Sequence, residues 1–171
     1  MSIDGLDAAI LQLFADEPRI GVLEASRRLQ VARGTVQSRL DRLERTGVVR
    51  SWGPDVDPEA LGYPVMAFVT LEIRQSGGHD PVGDHLALIP EVLEAHTVTG
   101  QGDLWCRVVA RSNADLQRVI DTVVAYPGIE RVATMITLAS QIEHRLMPLA
   151  AGAAEAAEAA GATQRPTERA K

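Results

Sequence analysis

Residues 29–53, LQVARGTVQSRLDRLERTGVVRSWG, contain the pattern that decides the fold of the first part of the chain. Val36, Leu40 and Leu43 recur at helical spacing, which predicts a helix from about 35 to 45 with one apolar stripe against a core. Gly47 follows this helix as a favourable C-terminal stop. Polar and basic side chains fill the other positions, at Thr35, Gln37, Ser38, Arg39, Asp41, Arg42 and Arg45. The helix therefore presents hydrogen-bonding and cationic groups to the outside.

Two further helices are predicted on the N-terminal side of this one. The first has apolar residues at i, i+4, i+7 and i+8, takes Asp4 or Asp7 as its cap, and ends before Pro18. Its stripe consists of Leu6, Ile10, Leu13 and Phe14. A shorter helix is expected from about 22 to 29, followed by a break at 30–34.

A short wing is predicted on the C-terminal side. The residues VVRSWG, 48–53, alternate in polarity and then meet Pro54, which is typical of a short strand or wing. Three helices followed by a wing are the parts of a winged helix-turn-helix, whose third helix enters the major groove of DNA. The segment DPEALGYP, 57–64, then supplies the proline and glycine of a linker.

The third helix offers two kinds of DNA contact. Side chains near its start are best placed for base edges, and a glutamine can bridge N6 and N7 of adenine. These candidates are Arg33, Thr35, Gln37 and Ser38. Arginines at the rim are better suited to phosphates, and they are Arg39, Arg42 and Arg45. The arginines alone would also fit a solvated helix face, but the helix spacing and the wing favour DNA contact.

The charge of the chain is unevenly distributed. The whole sequence carries 17 basic and 23 acidic residues, a formal net charge of −6, which taken alone argues against a polyanionic partner. Between Arg19 and Arg50, however, eight arginines accompany only three acidic residues, a local excess of five positive charges. Because a binding surface uses its local charge, this window favours a nucleic-acid partner. A bias in genome base composition would explain the frequent arginine equally well.

From residue 64 on, short strands alternate with helices. The four predicted strands are VMAFVTLEI (65–73), VLEAHTVT (92–99), LWCRVVAR (104–111) and IERVATMITL (129–138). Helices are predicted over 82–89 and, after the N-cap pair Ser112 and Asn113, over 115–126. The order β-α-β-β-α-β is that of a ferredoxin-like domain, in which two helices cover one face of an antiparallel sheet. The fold class predicted for the chain is therefore α+β.

Both faces of the predicted sheet carry apolar side chains. In the first strand the two alternating sets are Ala67, Val69, Leu71 and Ile73, and Met66, Phe68, Thr70 and Glu72. A sheet with one solvated face would show cleaner polar alternation. We therefore expect the second face to pack against another subunit in a closed symmetric dimer. A loop or tail of the same chain that covers this face is the alternative.

These patterns divide the chain into four parts. The DNA-binding domain covers 1–52, a linker 53–63, the ferredoxin-like domain 64–147 and an alanine-rich tail 148–171. After Leu149 no large apolar side chain is left to bury, so the tail is expected to be disordered or a frayed extension. The run AAEAAEAA within it could form a transient helix, since alanine has the highest helix propensity.

The chain resembles the Lrp/AsnC family of regulators, also called feast/famine regulatory proteins, from residue 3 to about 143. The segments that carry the resemblance are LDAAIL, LERTGVV, HTVTGQGD and PGIERVATMITL, which occur in the family order. The resemblance implies a winged helix-turn-helix and an effector-binding domain that forms homodimers. It also implies assembly into tetramers or octamers and a response to amino acids or similar metabolites.

Four positions depart from the family pattern. The turn before the third helix usually has a glycine where this chain has Gln30, and a serine where it has Ala32. Ala25 and Ser26 stand where leucine and alanine are usual. These departures leave the fold prediction unchanged but affect the packing of the second helix and the details of docking.

The turn between the two central strands is the candidate effector site. Glycines at positions 100 and 102 let backbone N–H groups approach a ligand, as in a nest for a carboxylate, and Asp103 could pair with an ammonium group. The residues alone fit a plain hairpin connection equally well. With the family resemblance, we place an effector between subunits here, bound by Thr99, Gly100, Gly102, Asp103 and Thr134.

Other classes of function receive little support. The lone Cys106 and the acidic start indicate a reducing cytoplasm, and the longest nearly uncharged stretch, 60–71, is shorter than the ~20 residues of a membrane span. No catalytic or cofactor motif is present, and the scattered histidines, His79, His85, His96 and His144, do not suggest a zinc site. The chain is thus expected to be a regulator that is not an enzyme and uses no cofactor.

Two alternatives remain open for the same architecture. Some siroheme decarboxylases resemble this combination of domains, and a basic helix stripe could then bind tetrapyrrole carboxylates. The chain could also be a metabolite-sensing interaction protein that does not bind DNA, although the positive window argues against it.

Overall fold

The computed structural model describes residues 2–74 and 80–163. They form two compact units, one made of the residues up to Pro54 together with those from Ile142 on, and one spanning Asp55–Gln141. Among the described residues, no helix combines the length and the apolar character needed to cross a bilayer.

The first unit contains the three predicted helices, α1 (Gly5–Asp16), α2 (Val22–Arg28) and α3 (Arg33–Arg45). Their core is built from Ile10, Ala25, Val36 and Leu40, with the rest of the first predicted stripe packed against it. The helix-turn-helix pattern of the sequence is thereby confirmed, with α3 beginning two residues earlier than predicted.

Asp4 and Asp7 together cap the start of α1. The side chain of Asp4 accepts from the backbone N–H of Asp7 at 3.0 Å, and the side chain of Asp7 accepts from that of Asp4 at 3.0 Å. This reciprocal arrangement is a capping box, which satisfies two backbone donors that a helix start leaves without partners. The sequence offered the two residues as alternative caps, whereas the structure uses both.

The turn between α2 and α3 contains an unusual backbone conformation. Gln30 has a φ of 55°, the left-handed region that side chains with a Cβ rarely adopt. The family that the sequence resembles usually has a glycine at this position. A glutamine here therefore carries backbone strain that a glycine would not.

The predicted wing strand is not formed. Residues 46–64 are all described and contain no strand. An isolated six-residue alternating segment that is followed by Pro54 has no second strand to pair with, so alternation alone does not produce a strand here. Side-chain contacts hold the segment instead: the indole N–H of Trp52 donates to Glu44, and its ring meets Phe14 edge-on with 5.4 Å between centroids.

The second unit has the predicted β-α-β-β-α-β order. Its elements are β1 (Val65–Ile73), α4 (Asp80–Ala87), β2 (Val92–Thr97), β3 (Leu104–Ala110), α5 (Asn113–Val124) and β4 (Ile129–Ile136). The four strands form one antiparallel sheet in the order β2-β3-β1-β4. The ferredoxin-like fold is therefore confirmed.

One face of this sheet is buried under α4 and α5. The alternate residues of β1 that point to it are Ala67, Val69, Leu71 and Ile73, all at most 5% exposed. The helices contribute Val82, Leu86, Leu116, Val119 and Val123 to the same cluster. The other sheet face is partly exposed and also apolar, as predicted, with Phe68 stacked on Trp105 at 4.8 Å between ring centroids.

The alanine-rich segment differs most from expectation. Instead of being disordered from residue 148 on, it forms helix α6 (Met147–Thr163), which packs on α1 in the first unit. Ala154 in α6 and Leu11 in α1 are 4% and 8% exposed. The expectation was wrong because it counted large side chains in the tail and overlooked the partner surface. Leu11 lies outside the predicted core stripe of α1, and small alanines let a second helix come close to it.

The second compact unit ends at Gln141. The extent of the ferredoxin-like domain, expected at 64–147, stays a prediction. Residues 164–171 of the tail lie outside the described residues.

Candidate nucleic-acid interface and effector turn

Helix α3 is fixed to the core by its apolar stripe. Val36, Leu40 and Leu43 are 0%, 6% and 1% exposed. After the last turn, Gly47 adopts a φ of 74° and the backbone N–H of Val49 donates to the carbonyl of Leu43 at 3.1 Å. This termination uses the conformational freedom of glycine that the sequence predicted.

The outward side of α3 presents the predicted base-edge candidates. Arg33, Gln37 and Ser38 are exposed, and Thr35 is partly buried. The side-chain amide of Gln37 donates to Asp41 at 2.7 Å, and the hydroxyl of Ser38 donates to the carbonyl of Thr35 at 3.1 Å. Gln37 is thus held by one N–H while its carbonyl oxygen and second N–H can still meet an adenine edge.

Arg39 and Arg42, predicted to contact phosphates, are engaged inside the protein. The Arg39 guanidinium donates to Asp7 at 2.9 Å and also to Asp4, and the Arg42 guanidinium donates to Asp7. Their side chains are 26% and 35% exposed, and Asp7 is fully buried. The two arginines therefore tie α3 to the start of α1.

The charges of this network reinforce one another. Burial by itself would raise the pKa of Asp7, but the hydrogen bonds from Arg42, from the Asp4 backbone and from Arg39 hold it below its ordinary value. The hydrogen bond from Arg39 likewise lowers the pKa of Asp4. Because the pKa of each carboxyl group lies below its ordinary value, both are ionised at neutral pH.

The remaining arginines of the positive window divide into two groups. Arg28 is paired with Glu17 and Glu24, and Arg27 with Glu24. The side chains of the other group make no ion pair or hydrogen bond to the described residues; these residues are Arg19, Arg33, Arg45 and Arg50. These four carry the positive charge that is free to meet an external anion.

The predicted effector turn is anchored to the end of β1. The Asp103 backbone N–H donates to the Leu71 carbonyl at 2.8 Å, and the Asp103 carboxylate accepts from the Ile73 backbone N–H at 2.8 Å. Gly100 and Gly102 have φ values of 118° and 84°. Gly102 lies against Thr70, whereas a Cβ on Gly100 would meet only open space. A ligand therefore has access on the Gly100 side of the turn.

The structure separates Thr134 from this turn within one chain. Thr134 in β4 pairs with Val69, so it lies on the helix side of the sheet, and β1 stands between β4 and β3. Gly102 contacts Thr70, whose side chain points to the other face. Thr99 and Thr134 are both exposed. The five predicted effector residues are thus not brought together by a single chain.

The histidines do not form a cluster in the described residues, and His79 lies outside them. His85 has a packing role that the sequence did not indicate. Its Nε2 lies 3.0 Å and 3.1 Å from the carbonyl oxygens of Thr122 and Val123, so it joins α4 to the last turn of α5.

Two family models match the chain. The Lrp/AsnC ligand binding domain matches residues 65–147, and a winged helix-turn-helix DNA-binding domain matches residues 3–50. An uncharacterised HTH-type transcriptional regulator of Pyrococcus abyssi is 32% identical over 137 residues, which cover 80% of this chain and 86% of the relative.

Solved structures with the same fold include two regulators. AsnC of Escherichia coli superposes with a TM-score of 0.79 at 27% identity, covering 86% of this chain and 100% of AsnC. A transcriptional regulator of Neisseria meningitidis, in complex with L-methionine, superposes with a TM-score of 0.76 at 25% identity, covering 86% and 99%. The helix α6 follows the segment that the ligand-binding model matches.

Proposed function

The chain belongs to the Lrp/AsnC family of transcriptional regulators, and from this premise we propose that it binds double-stranded DNA sequence-specifically through α3. The observation that supports this most directly is the outward face of α3. It presents Gln37, Ser38, Arg33 and Arg45, and neither of these two arginines has a carboxylate partner among the described residues. Gln37, Thr35, Ser38 and Arg33 would read base edges, and Arg45 would contact a phosphate.

Two arginines of α3 are given a different role here from the one predicted from the sequence. Arg39 and Arg42 were predicted to contact phosphates, but their ion pairs with Asp4 and Asp7 would have to break or share their donors first. Arg19 and Arg50, which lie at the two ends of the positive window and are free of such pairs, are better candidates for phosphate contacts.

We further propose that an amino acid or a related small metabolite binds at the turn 99–103. The complex of the Neisseria meningitidis regulator with L-methionine supports an amino acid as the effector class. Thr99, Gly100, Gly102 and Asp103 would bind it from one protomer. Because Thr134 lies on the opposite sheet face of the same chain, a site that contains it as well needs a second protomer.

The third part of the proposal is that the chain associates with copies of itself. The partly exposed apolar sheet face, with the Phe68 and Trp105 pair, would form the interface of a homodimer, which assembles further into tetramers or octamers. A loop or tail of the same chain was the alternative cover for this face; helix α6 of the tail packs on α1 within the first unit. Light scattering of the purified protein tests this part: a monomer at micromolar concentration would contradict it. As a DNA-binding regulator, it would act in the cytoplasm.

DNA binding is tested by the salt dependence of affinity for a fluorescently labelled duplex. Each phosphate neutralised by an arginine contributes about −0.9 to the slope of log K against log salt. We expect a clearly negative slope for the wild-type chain, and a slope smaller by about 0.9 for Arg45→Gln. Gln37→Ala should change the preferred base sequence without changing the slope. A slope of zero for the wild type would exclude DNA binding.

The effector and the enzyme alternative have separate tests. Adding each amino acid to the protein and its duplex should identify one that changes the affinity, and no change with any of them would contradict the effector assignment. Titration with siroheme tests the decarboxylase alternative. The relatives are named as transcriptional regulators, so we expect no spectral change.

A further inference from the structure

The carboxylate of Asp7 has a position that its capping role does not explain. It is fully buried, and both of its oxygens are used by α3: Oδ1 accepts from Arg39 at 2.9 Å and Oδ2 accepts from Arg42. Oδ2 also accepts from the Asp4 backbone N–H at 3.0 Å. Capping needs only this last bond. The other two join residues that are 32 and 35 positions apart in the sequence.

The two arginines hold α3 at neighbouring points of one side. Residues three apart on a helix lie on adjacent parts of its surface, so Arg39 and Arg42 approach Asp7 from two directions. A rotation of α3 about its axis would lengthen at least one of these bonds. The apolar stripe of α3, with Val36 and Leu40 in the core cluster, fixes which side of the helix is buried. The two hydrogen bonds to Asp7 add a directional restraint on rotation to this packing.

A small rotation of α3 about its axis is enough to disturb base recognition. The side chains of an α-helix reach about 5 Å from its axis, so a rotation of ~20° displaces them by about 2 Å. A hydrogen bond to a base edge tolerates only a few tenths of an ångström in donor–acceptor distance. Gln37 and Ser38 therefore need α3 to be held at a defined rotation if they are to read bases.

We propose that Asp7 is a positioning residue for DNA recognition, which acts through Arg39 and Arg42 to fix the rotation of α3. This inference rests on the proposed DNA binding. It gives Arg39 and Arg42 the role of internal ties in place of phosphate contacts. Asp4 lies at the solvent-exposed edge of the network, where it pairs with Arg39 and its side chain is 49% exposed.

The test compares the affinity for two duplexes. The first is selected from a randomised pool by the wild-type chain, and the second has the same base composition in scrambled order. The ratio of the two affinities measures sequence discrimination, and the salt slope counts phosphate contacts. We expect Asp7→Asn to lower the ratio about tenfold, the value of one well-aligned base contact, while leaving the salt slope unchanged.

Two controls separate positioning from other effects. Asp16→Asn removes the same charge from the far end of α1, where the carboxylate accepts from Gln12 at 2.8 Å, and should leave the ratio unchanged. In the background Arg39→Gln with Arg42→Gln, the substitution Asp7→Asn should lower the ratio no further, because the residues through which it acts are gone.

Each outcome bears on the inference. If Asp7→Asn lowers the melting temperature but keeps the wild-type ratio at temperatures where it is folded, Asp7 only stabilises the fold and the inference is wrong. If Arg39→Gln and Arg42→Gln each reduce the salt slope by about 0.9, the arginines contact phosphates and the inference is also wrong. A wild-type chain that shows no salt-dependent binding would overturn the proposed function itself, which the wild-type measurement reveals before any variant is made.

A second variant covers the case in which Asp7→Asn does not fold. Asp4→Asn removes only the half-exposed member of the network, so the unit should fold, and one tie to Arg39 is lost. We expect a smaller loss of discrimination, about threefold, at an unchanged salt slope. An unchanged ratio in both Asp4→Asn and Arg42→Gln would overturn the inference.

Discussion

Gly102 lies directly against Thr70, so that a Cβ at this position would overlap the Cγ2 of Thr70 and stand 3.1 Å from the Leu71 carbonyl oxygen. Its φ of 84° disfavours a Cβ independently of the space. Together with the hydrogen bond from Ile73 to Asp103, this contact fixes the candidate effector turn to β1. The turn is thus anchored to the sheet, and such anchoring favours preorganised binding of a small ligand.

Gly102→Ala is expected to destabilise the second unit by about 1–3 kcal/mol, because it adds both backbone strain and the overlap with Thr70. Urea unfolding followed by the fluorescence of Trp105, which lies three residues away, measures this cost in a Trp52→Phe background. In a Thr70→Ser background the overlapping methyl group is absent, so the same substitution should cost less. An equal cost in both backgrounds would show that the overlap contributes nothing.

Gln30→Gly should stabilise the first unit by about 0.5–1 kcal/mol. The left-handed conformation costs a residue with a Cβ about 1–2 kcal/mol, and part of the gain is offset by the greater freedom of glycine in the unfolded chain. Gln30→Ala is the matched control: it removes the same exposed side chain but keeps the strain, so its stability should equal that of the wild type. Urea unfolding followed by Trp52 fluorescence in a Trp105→Phe background compares the three chains. Equal stabilities of the Gly and Ala variants would contradict the argument.

The elements that the sequence predicted are those whose cause is local. Helix α3 and strand β1 each bury one set of apolar side chains, such as Val36, Leu40 and Leu43 in α3. The spacing of such a set is the same whichever surface it packs against, so it is visible in the sequence. The conformation at Gln30 is also local, and the family pattern pointed to it. The strand expected at 48–53 was predicted from alternation and Pro54 and is not formed, because a strand needs a partner that no local pattern supplies.

The features that could not be predicted from the sequence depend on contacts between residues that are far apart along the chain. Asp7 and Arg42 are 35 residues apart, and nothing near either residue indicates that they meet. Both were therefore assigned to the roles their own helices suggested, a cap and a phosphate contact. The packing of α6 was missed for the same reason, since its partner Leu11 lies outside the core stripe of α1. The one usable signal was Leu11 itself, a large apolar residue outside the predicted stripe.

Leu11→Ala tests the docking of α6 on α1. In the full chain, Leu11 is nearly buried and lines an apolar groove with Ala150 and Ala153, so its truncation should cost about 2–4 kcal/mol. In a chain that ends at Leu146, α6 is missing and Leu11 is exposed, so the same substitution should cost less than about 1 kcal/mol. Urea unfolding followed by Trp52 fluorescence gives both values. Equal costs in the two chains would mean that α6 does not cover Leu11.

The buried carboxylate of Asp7 should make the first unit sensitive to acid. Its folded pKa is lowered from the ordinary value of 3.8, so its contribution to stability is fully present above that value. As the pH falls below 3.8 through the folded pKa, the contribution is lost, by at most about 1.4 kcal/mol per pH unit for this one group.

Asp7→Asn should accordingly be less stable than the wild type at pH 7, by roughly 3 kcal/mol, because two guanidinium groups lose their charged partner. The difference should shrink as the pH is lowered from 5 towards 2, since the wild type itself then becomes protonated at Asp7. Unfolding by urea at each pH, read from Trp52 in a Trp105→Phe background, isolates the first unit. Asp16→Asn is the control, with an expected difference from wild type that does not change with pH. A gap between Asp7→Asn and wild type that stays constant down to pH 2 would mean that the folded pKa of Asp7 is not tied to Arg39 and Arg42.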